Sequence, residues 1–152
     1  MFKYSMDSFC KDCKELAERV REYNFTHILY IERGGRYIAH ELIKYYPKAL
    51  TVPIKISFYN GQEKRHAPLI QYDACVVFKP HNRVLVVDDL CDTGDTMNFL
   101  KESYLLNKAE SVKTAVLIKK PTSTFNPDYY VLDNVNDWCV FPWEDEQGNH
   151  IF

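Results

Sequence analysis

The stretch that decides the fold is Val84-Leu-Val-Val-Asp-Asp-Leu-Cys-Asp-Thr-Gly-Asp-Thr-Met97. Val84 to Val87 are the β-branched and aliphatic residues of a strand buried on both faces. Asp88-Asp89 follow at its carboxyl end, where open α/β sheets bind ligands. Two adjacent carboxylates repel one another and lose hydration on burial, so they call for a cation, a set of hydroxyl donors, or both. A ribose with Mg²⁺ supplies both, which makes Asp88 and Asp89 candidate metal and sugar ligands. Asp92-Thr-Gly-Asp-Thr96 then offers a glycine able to take positive φ, two hydroxyls and the start of a helical pattern. Backbone N–H groups there can converge on a phosphate. The whole stretch reads as a sugar phosphate site.

The remainder of the chain bounds what surrounds it. With 152 residues, 26% charged and 46% hydrophobic, the sequence reads as one globular domain, 1–152, with a sizeable core. A formal net charge of −2 gives no electrostatic reason to expect nucleic acid, so any polyanion site is local. No apolar run approaches membrane length, and Met-Phe-Lys-Tyr-Ser-Met-Asp lacks the apolar core of a signal peptide; the expectation is a cytoplasmic protein. Five cysteines without a disulfide-framework spacing read as reduced thiols. Cys10 and Cys13 form a Cys-x-x-Cys with no second pair to complete a zinc site, and fit ordinary positions on an amphipathic helix.

Apolar residues Phe9, Cys13, Leu16 and Val20 recur at helical spacing between Asp7 and Tyr23. Strands are expected at Thr26–Ile31, Leu50–Ile56, Val84–Val87 and Val112–Ile118, with a helix after Gly35 and another from about Thr96 to Leu106. Gly61 to Asp73 is polar, lacks a sustained period and reads as a mobile loop carrying Lys64 and Arg65. Short aromatic strands follow at Tyr129–Leu132 and Trp138–Phe141. Strand and helix alternate through the middle, which argues for an α/β fold with a central parallel sheet flanked by helices. Glu32-Arg-Gly-Gly35 sits between a strand and a helix, and its two glycines and Arg33 can form a second anion loop.

Taken together, the aliphatic strand, the acidic pair and Asp-Thr-Gly-x-Thr resemble the phosphoribosyl diphosphate motif of the type I phosphoribosyltransferases. Lys119-Lys120-Pro121, Asp128-Tyr129-Tyr130, Trp138 and Pro142-Trp143-Glu144 narrow the resemblance to the short 6-oxopurine enzymes of bacteria and archaea, xanthine-guanine and hypoxanthine types. The resemblance implies that fold with a small C-terminal hood, and purine salvage: Mg²⁺-dependent transfer of phosphoribosyl from phosphoribosyl diphosphate to guanine, xanthine or hypoxanthine. It further implies that Arg33, Gly34 and Gly35 hold the diphosphate, that Asp92, Thr93, Gly94, Asp95 and Thr96 hold the 5′-phosphate, and that Asp92 is the general base beside the purine N7. The base pocket would be Lys120, Trp138, Cys139 and Val140, with Lys120 donating to the purine O6 and Trp138 stacking on the ring. Strand alternation leaves Lys119 as the other O6 donor. Backbone carbonyls around Trp138 to Phe141 would meet the C2 substituent. The loop with Lys64 and Arg65 would close over the diphosphate, Asp95, a glycine in the xanthine-guanine group, is expected to point outward, and a homodimer or homotetramer is implied. Alternatives are a non-catalytic phosphoribosyl-diphosphate sensor and an enzyme of the same fold acting on a pyrimidine.

Overall fold

The computed structural model describes the backbone of residues 1–60, 63–71 and 77–151, and the side chains of these except 59–60 and 63–67. In chain order the elements are β1 (Phe2–Lys3), α1 (Met6–Arg19), β2 (His27–Ile31), α2 (Gly35–Leu42), β3 (Leu50–Ile54), β4 (Ile56–Asn60), β5 (Glu63–Ile70), β6 (Arg83–Cys91), α3 (Asp95–Phe99), β7 (Ser111–Lys119) and β8 (Cys139–Val140). Four strands form a parallel sheet in the order β3-β2-β6-β7. Alternation along β6 sends Leu85 and Val87 to one face, packed with Leu16, Ile38 and Leu42 of α1 and α2. Val84 and Val86 go to the other, with Met97, Leu100 and Leu105. All ten side chains are essentially fully buried, each contributing about 1.5–3 kcal/mol. That double-sided burial is what lets β6 carry two carboxylates at its end.

Four expectations change in detail. β6 does not stop at Val87: it runs from Arg83 to Cys91, and Asp88 pairs with Val116 inside the ladder. The stretch expected as one strand from Leu50 to Ile56 breaks at Lys55 into β3 and β4. The segment expected as a mobile loop is in its described part a strand, since β5 pairs antiparallel with β4, Ile56 opposite Ile70 and Tyr59 opposite Lys64. Its root packs on the α3 side through Ile56 and Ile70, and the Phe58 and Phe99 rings meet edge to face at 6.1 Å. The polar tip masked this pairing in the sequence. Lys64 and Arg65 fall in β5, their side chains outside the described residues. The helix after Thr96 is split: α3 gives way to a π-helical turn, Leu100–Tyr104, in which Leu105 N–H donates to Leu100 O at 2.9 Å. The wider turn keeps Leu100 and Leu105 both facing the sheet.

At the C-terminal side, Tyr129 and Leu132 make single bridges to Ala115 and Ile118 of β7. β8 pairs instead with β1, parallel, Phe2 opposite Cys139. The hood therefore includes the first residues of the chain. Trp143 anchors it, stacked on Tyr37 at 4.1 Å and on Phe141 at 4.9 Å. Among the described residues Cys10, Cys13, Cys91 and Cys139 are free thiols, and no helix is long and apolar enough to cross a membrane.

Candidate active site

Because β2 and β6 are neighbours in register, with Tyr30 opposite Val87, the turn after β2 and the acidic pair of β6 meet although more than fifty residues apart. The contact is close. A Cβ on Gly34 would lie 2.0 Å from Asp89 Oδ2, and one on Gly35 would lie 2.6 Å from the Val87 carbonyl oxygen. At Gly35 the obstacle is backbone and glycine is required by approach; at Gly34 it is the Asp89 carboxylate, which an added methyl would displace. In the same turn, Arg36 is locked in a two-pronged ion pair with Glu32, 2.7 and 2.9 Å. Arg33 is exposed, with no carboxylate partner among the described residues, and is left available for an anion. The Glu32–Arg33 peptide bond is cis.

Asp88 and Asp89 are half-buried. Backbone donors soften their charge: Asp89 N–H donates to Asp88 Oδ1 at 2.8 Å and Leu90 N–H to Asp89 Oδ1 at 2.7 Å. Burial nevertheless pushes both pKa values upward, for Asp88 with added repulsion from Asp89, and for Asp89 with added repulsion from Glu144. A pair this strained without a counter-charge fits a hard divalent cation. The two carboxylates could hold Mg²⁺, a cation that takes one or two carboxylates and completes its shell with water and substrate phosphates.

Beyond the pair, Asp88, Leu90, Cys91 and the run Asp92 to Met97 line a cavity of about 150 Å³. Its floor is Gly94, whose φ of +95° is open to few other residues. A Cβ there would also stand 2.2 Å from Phe125 Cβ. The first N–H groups of α3 have no intrahelical acceptor, and Asp95 N–H donates to Thr93 Oγ1 at 3.3 Å. Asp95 is half-buried and belongs to the lining; as an acidic residue in the first helical turn it is favoured by the positive end of the helix dipole.

A second cavity, about 420 Å³, is lined by Asp89, Leu90, Asp92, Lys120, Asn136, Trp138, Cys139, Phe141, Glu144, Gln147 and Gly148. Leu90 and Asp92 belong to both cavities. Lys120 is brought in, its ammonium donating to the Asp137 carbonyl oxygen. Lys119 is turned away, with Nζ 5.7 Å from the Tyr130 ring centre, so of the two lysines it is Lys120 that faces the cavity. Trp138 is 59% exposed, an indole face left open at the cavity rim. Val140 is not brought to the cavity: its side chain is buried and its carbonyl accepts from Tyr4 N–H at 2.9 Å. The cause is the pairing of β8 with β1, which the sequence did not disclose. Asn136, Glu144, Gln147 and Gly148 were missed. For Gln147 and Gly148 the signal was the turn Asp145–Asn149, where Asp145 Oδ1 accepts from the N–H groups of Gln147 and Asn149, each at 2.9 Å.

A model of the phosphoribosyl transferase domain matches residues 5–146. The xanthine-guanine phosphoribosyltransferase of Desulfotalea psychrophila is 31% identical over 148 residues, covering 95% of this chain and 87% of its own. That of Idiomarina loihiensis is 28% identical over 145 residues, covering 94% and 86%. The solved structure of a purine phosphoribosyltransferase from Pyrococcus horikoshii superposes with a TM-score of 0.83 at 32% identity, covering 95% of this chain and 93% of that one.

Proposed function

The chain belongs to the phosphoribosyl transferase domain family, and from that premise we propose a purine-salvage enzyme that transfers the 5-phosphoribosyl group from phosphoribosyl diphosphate to a 6-oxopurine. The observation that carries the reading is the meeting of two cavities at Asp92, one of phosphate size and one lined by Lys120 and Trp138. The reaction makes a bond between a purine nitrogen and the anomeric carbon and breaks the bond from that carbon to the diphosphate. The purine N–H proton passes to the Asp92 carboxylate, which stands between the two substrates' sites. Arg33 and the backbone around Gly34 and Gly35 hold the leaving diphosphate, and Asp88 and Asp89 hold the ribose hydroxyls. Asp88 and Asp89 would hold Mg²⁺ together with the substrate, and the ion would supply charge neutralisation for the leaving diphosphate.

Selectivity follows from donors and acceptors. An ammonium has three donors, so Lys120 keeps two after engaging Asp137 and can donate to a purine O6. Adenine would oppose that donor with an amino group. At the C2 side, the carbonyls of Trp138 and Val140 are taken by Phe2 and Tyr4 N–H, and that of Phe141 by Glu144 N–H. Strand alternation directs the Cys139 carbonyl away from β1, leaving it to receive an exocyclic amine. The same reading places the enzyme in the cytoplasm as a homodimer or homotetramer. Mixing the protein with phosphoribosyl diphosphate, Mg²⁺ and each nucleobase in turn should yield nucleotide with guanine, hypoxanthine or xanthine. Turnover with a pyrimidine alone, or with none, overturns the reading.

A further inference from the structure

After β7 the chain does not leave the site; it runs back along the loop that follows β6. Lys120 N–H donates to Cys91 O at 2.9 Å, and the Ser123 hydroxyl lies 3.2 Å from Cys91 Sγ. The Thr122 hydroxyl lies 3.1 Å from Asp92 Oδ1 and 3.3 Å from the Asp92 carbonyl oxygen. Thr124 donates to Thr93 O through both its N–H, 3.1 Å, and its hydroxyl, 3.2 Å. Phe125 then closes over Gly94. Each residue from Cys91 to Gly94 is thus met in order by one from 120–125.

We propose that Lys120–Phe125 is a splint holding the Asp92–Gly94 loop to the base pocket, with Thr122 as a positioning residue for the Asp92 carboxylate. This rests on the purine phosphoribosyltransferase reading above. Asp92 and Thr93 are exposed, and an exposed aspartate on a turn samples several rotamers at little cost. The Thr122 hydroxyl removes that freedom by donating to Oδ1, while Oδ2 has no partner among the described residues and is the oxygen left to take a proton. The splint also begins at Lys120, so the residue that fixes the purine and the residue that fixes its base are joined by one turn of chain, Ser123 N–H to Lys120 O at 3.0 Å. Base recognition and proton acceptance are thereby registered to each other before substrate arrives.

Thr122 is exposed, so Thr122→Val is expected to fold. It should lower kcat about tenfold with the KM for phosphoribosyl diphosphate within about twofold, and Thr122→Ser, which keeps the hydroxyl, should restore kcat. Equal kcat in Thr122→Val and the parent, or equal loss in Val and Ser, overturns the splint. A second readout needs no turnover: the ¹³C carboxylate resonance of Asp92, assigned through Asp92→Asn, should move in Thr122→Val and stay in Thr122→Ser. If it stays in both, the positioning role is wrong. Absence of nucleotide formation by the parent instead overturns the enzymatic reading, and the resonance still decides the splint.

Discussion

The smaller cavity takes all of its lining from Asp88 to Met97, whereas the larger draws on β6, Lys120, residues 136–141 and the turn 144–148. The first is written in one strand, one turn and one short helix. The second exists only once β7, β8 and β1 are in place, and its most conspicuous member, Trp138, is exposed. A phosphate is common to every substrate of such a site, and a contiguous loop suffices to hold it. A base must be told from other bases, and that takes donors and acceptors converging from several directions. Asp92 belongs to both cavities, and the largest effect is expected there. Asp92→Asn keeps size and removes the proton acceptor, so kcat should fall by about 10²–10⁴ in steady-state assays. Calorimetry should find phosphoribosyl diphosphate affinity nearly unchanged. Collapse of that affinity would make Asp92 a wall of the phosphate cavity and nothing more.

The two ends should then separate under mutation. Gly34→Ala forces a methyl to within 2.0 Å of Asp89 Oδ2, and overpacking of this kind costs about 1–3 kcal/mol. The KM for phosphoribosyl diphosphate should rise about tenfold or more, with the KM for the base unmoved. Lys120→Met reverses the pattern: the KM for a 6-oxopurine should rise about tenfold, the loss of one hydrogen bond to a charged donor, while that for phosphoribosyl diphosphate holds. If either variant moves both constants together, the splint couples the ends more tightly than their separate linings indicate.

The same contrast explains what could be read from the residues alone. Val84 to Thr96 announced strand, acidic pair and phosphate loop because their spacing along the chain is their spacing in space. Gly34 and Gly35 needed one further step, the adjacency of β2 and β6, which a parallel α/β order supplies. The base pocket needed more. Nothing in the alternation of Lys119 and Lys120 decides between them, since the choice depends on Tyr130 taking one ammonium and the Asp137 carbonyl the other. Val140 was assigned to the base by the family resemblance; only the pairing of its strand with Phe2 and Lys3 turns it into the core. The β4–β5 hairpin was hidden by a polar composition that its antiparallel register tolerates, because one face of a hairpin can remain in water.

The acid end makes one more claim that the base end does not. Burial raises the pKa of Asp88 and of Asp89 above the ordinary carboxylate value of 3.8. A carboxyl raised in the folded state favours folding while it is protonated. Its contribution is fully present below 3.8 and is lost as pH rises through the raised value. With Mg²⁺ chelated and no substrate, the parent protein therefore carries a repulsion at about pH 8 that Asp89→Asn, which cannot ionise, does not. The variant's Tm should exceed the parent's by about 2–4 °C there, and the gap should close toward about pH 5 as the parent's pair protonates. Addition of Mg²⁺ with phosphoribosyl diphosphate should reverse the order, because only the parent offers the second carboxylate. Lys120→Met, scanned in the same way, should show no such pH-dependent gap. A variant less stable than the parent at pH 8 in chelator would mean that the Asp89 contacts to Asp88 and Leu90 outweigh the repulsion, and the acid pair would then be part of the frame before it is part of the site.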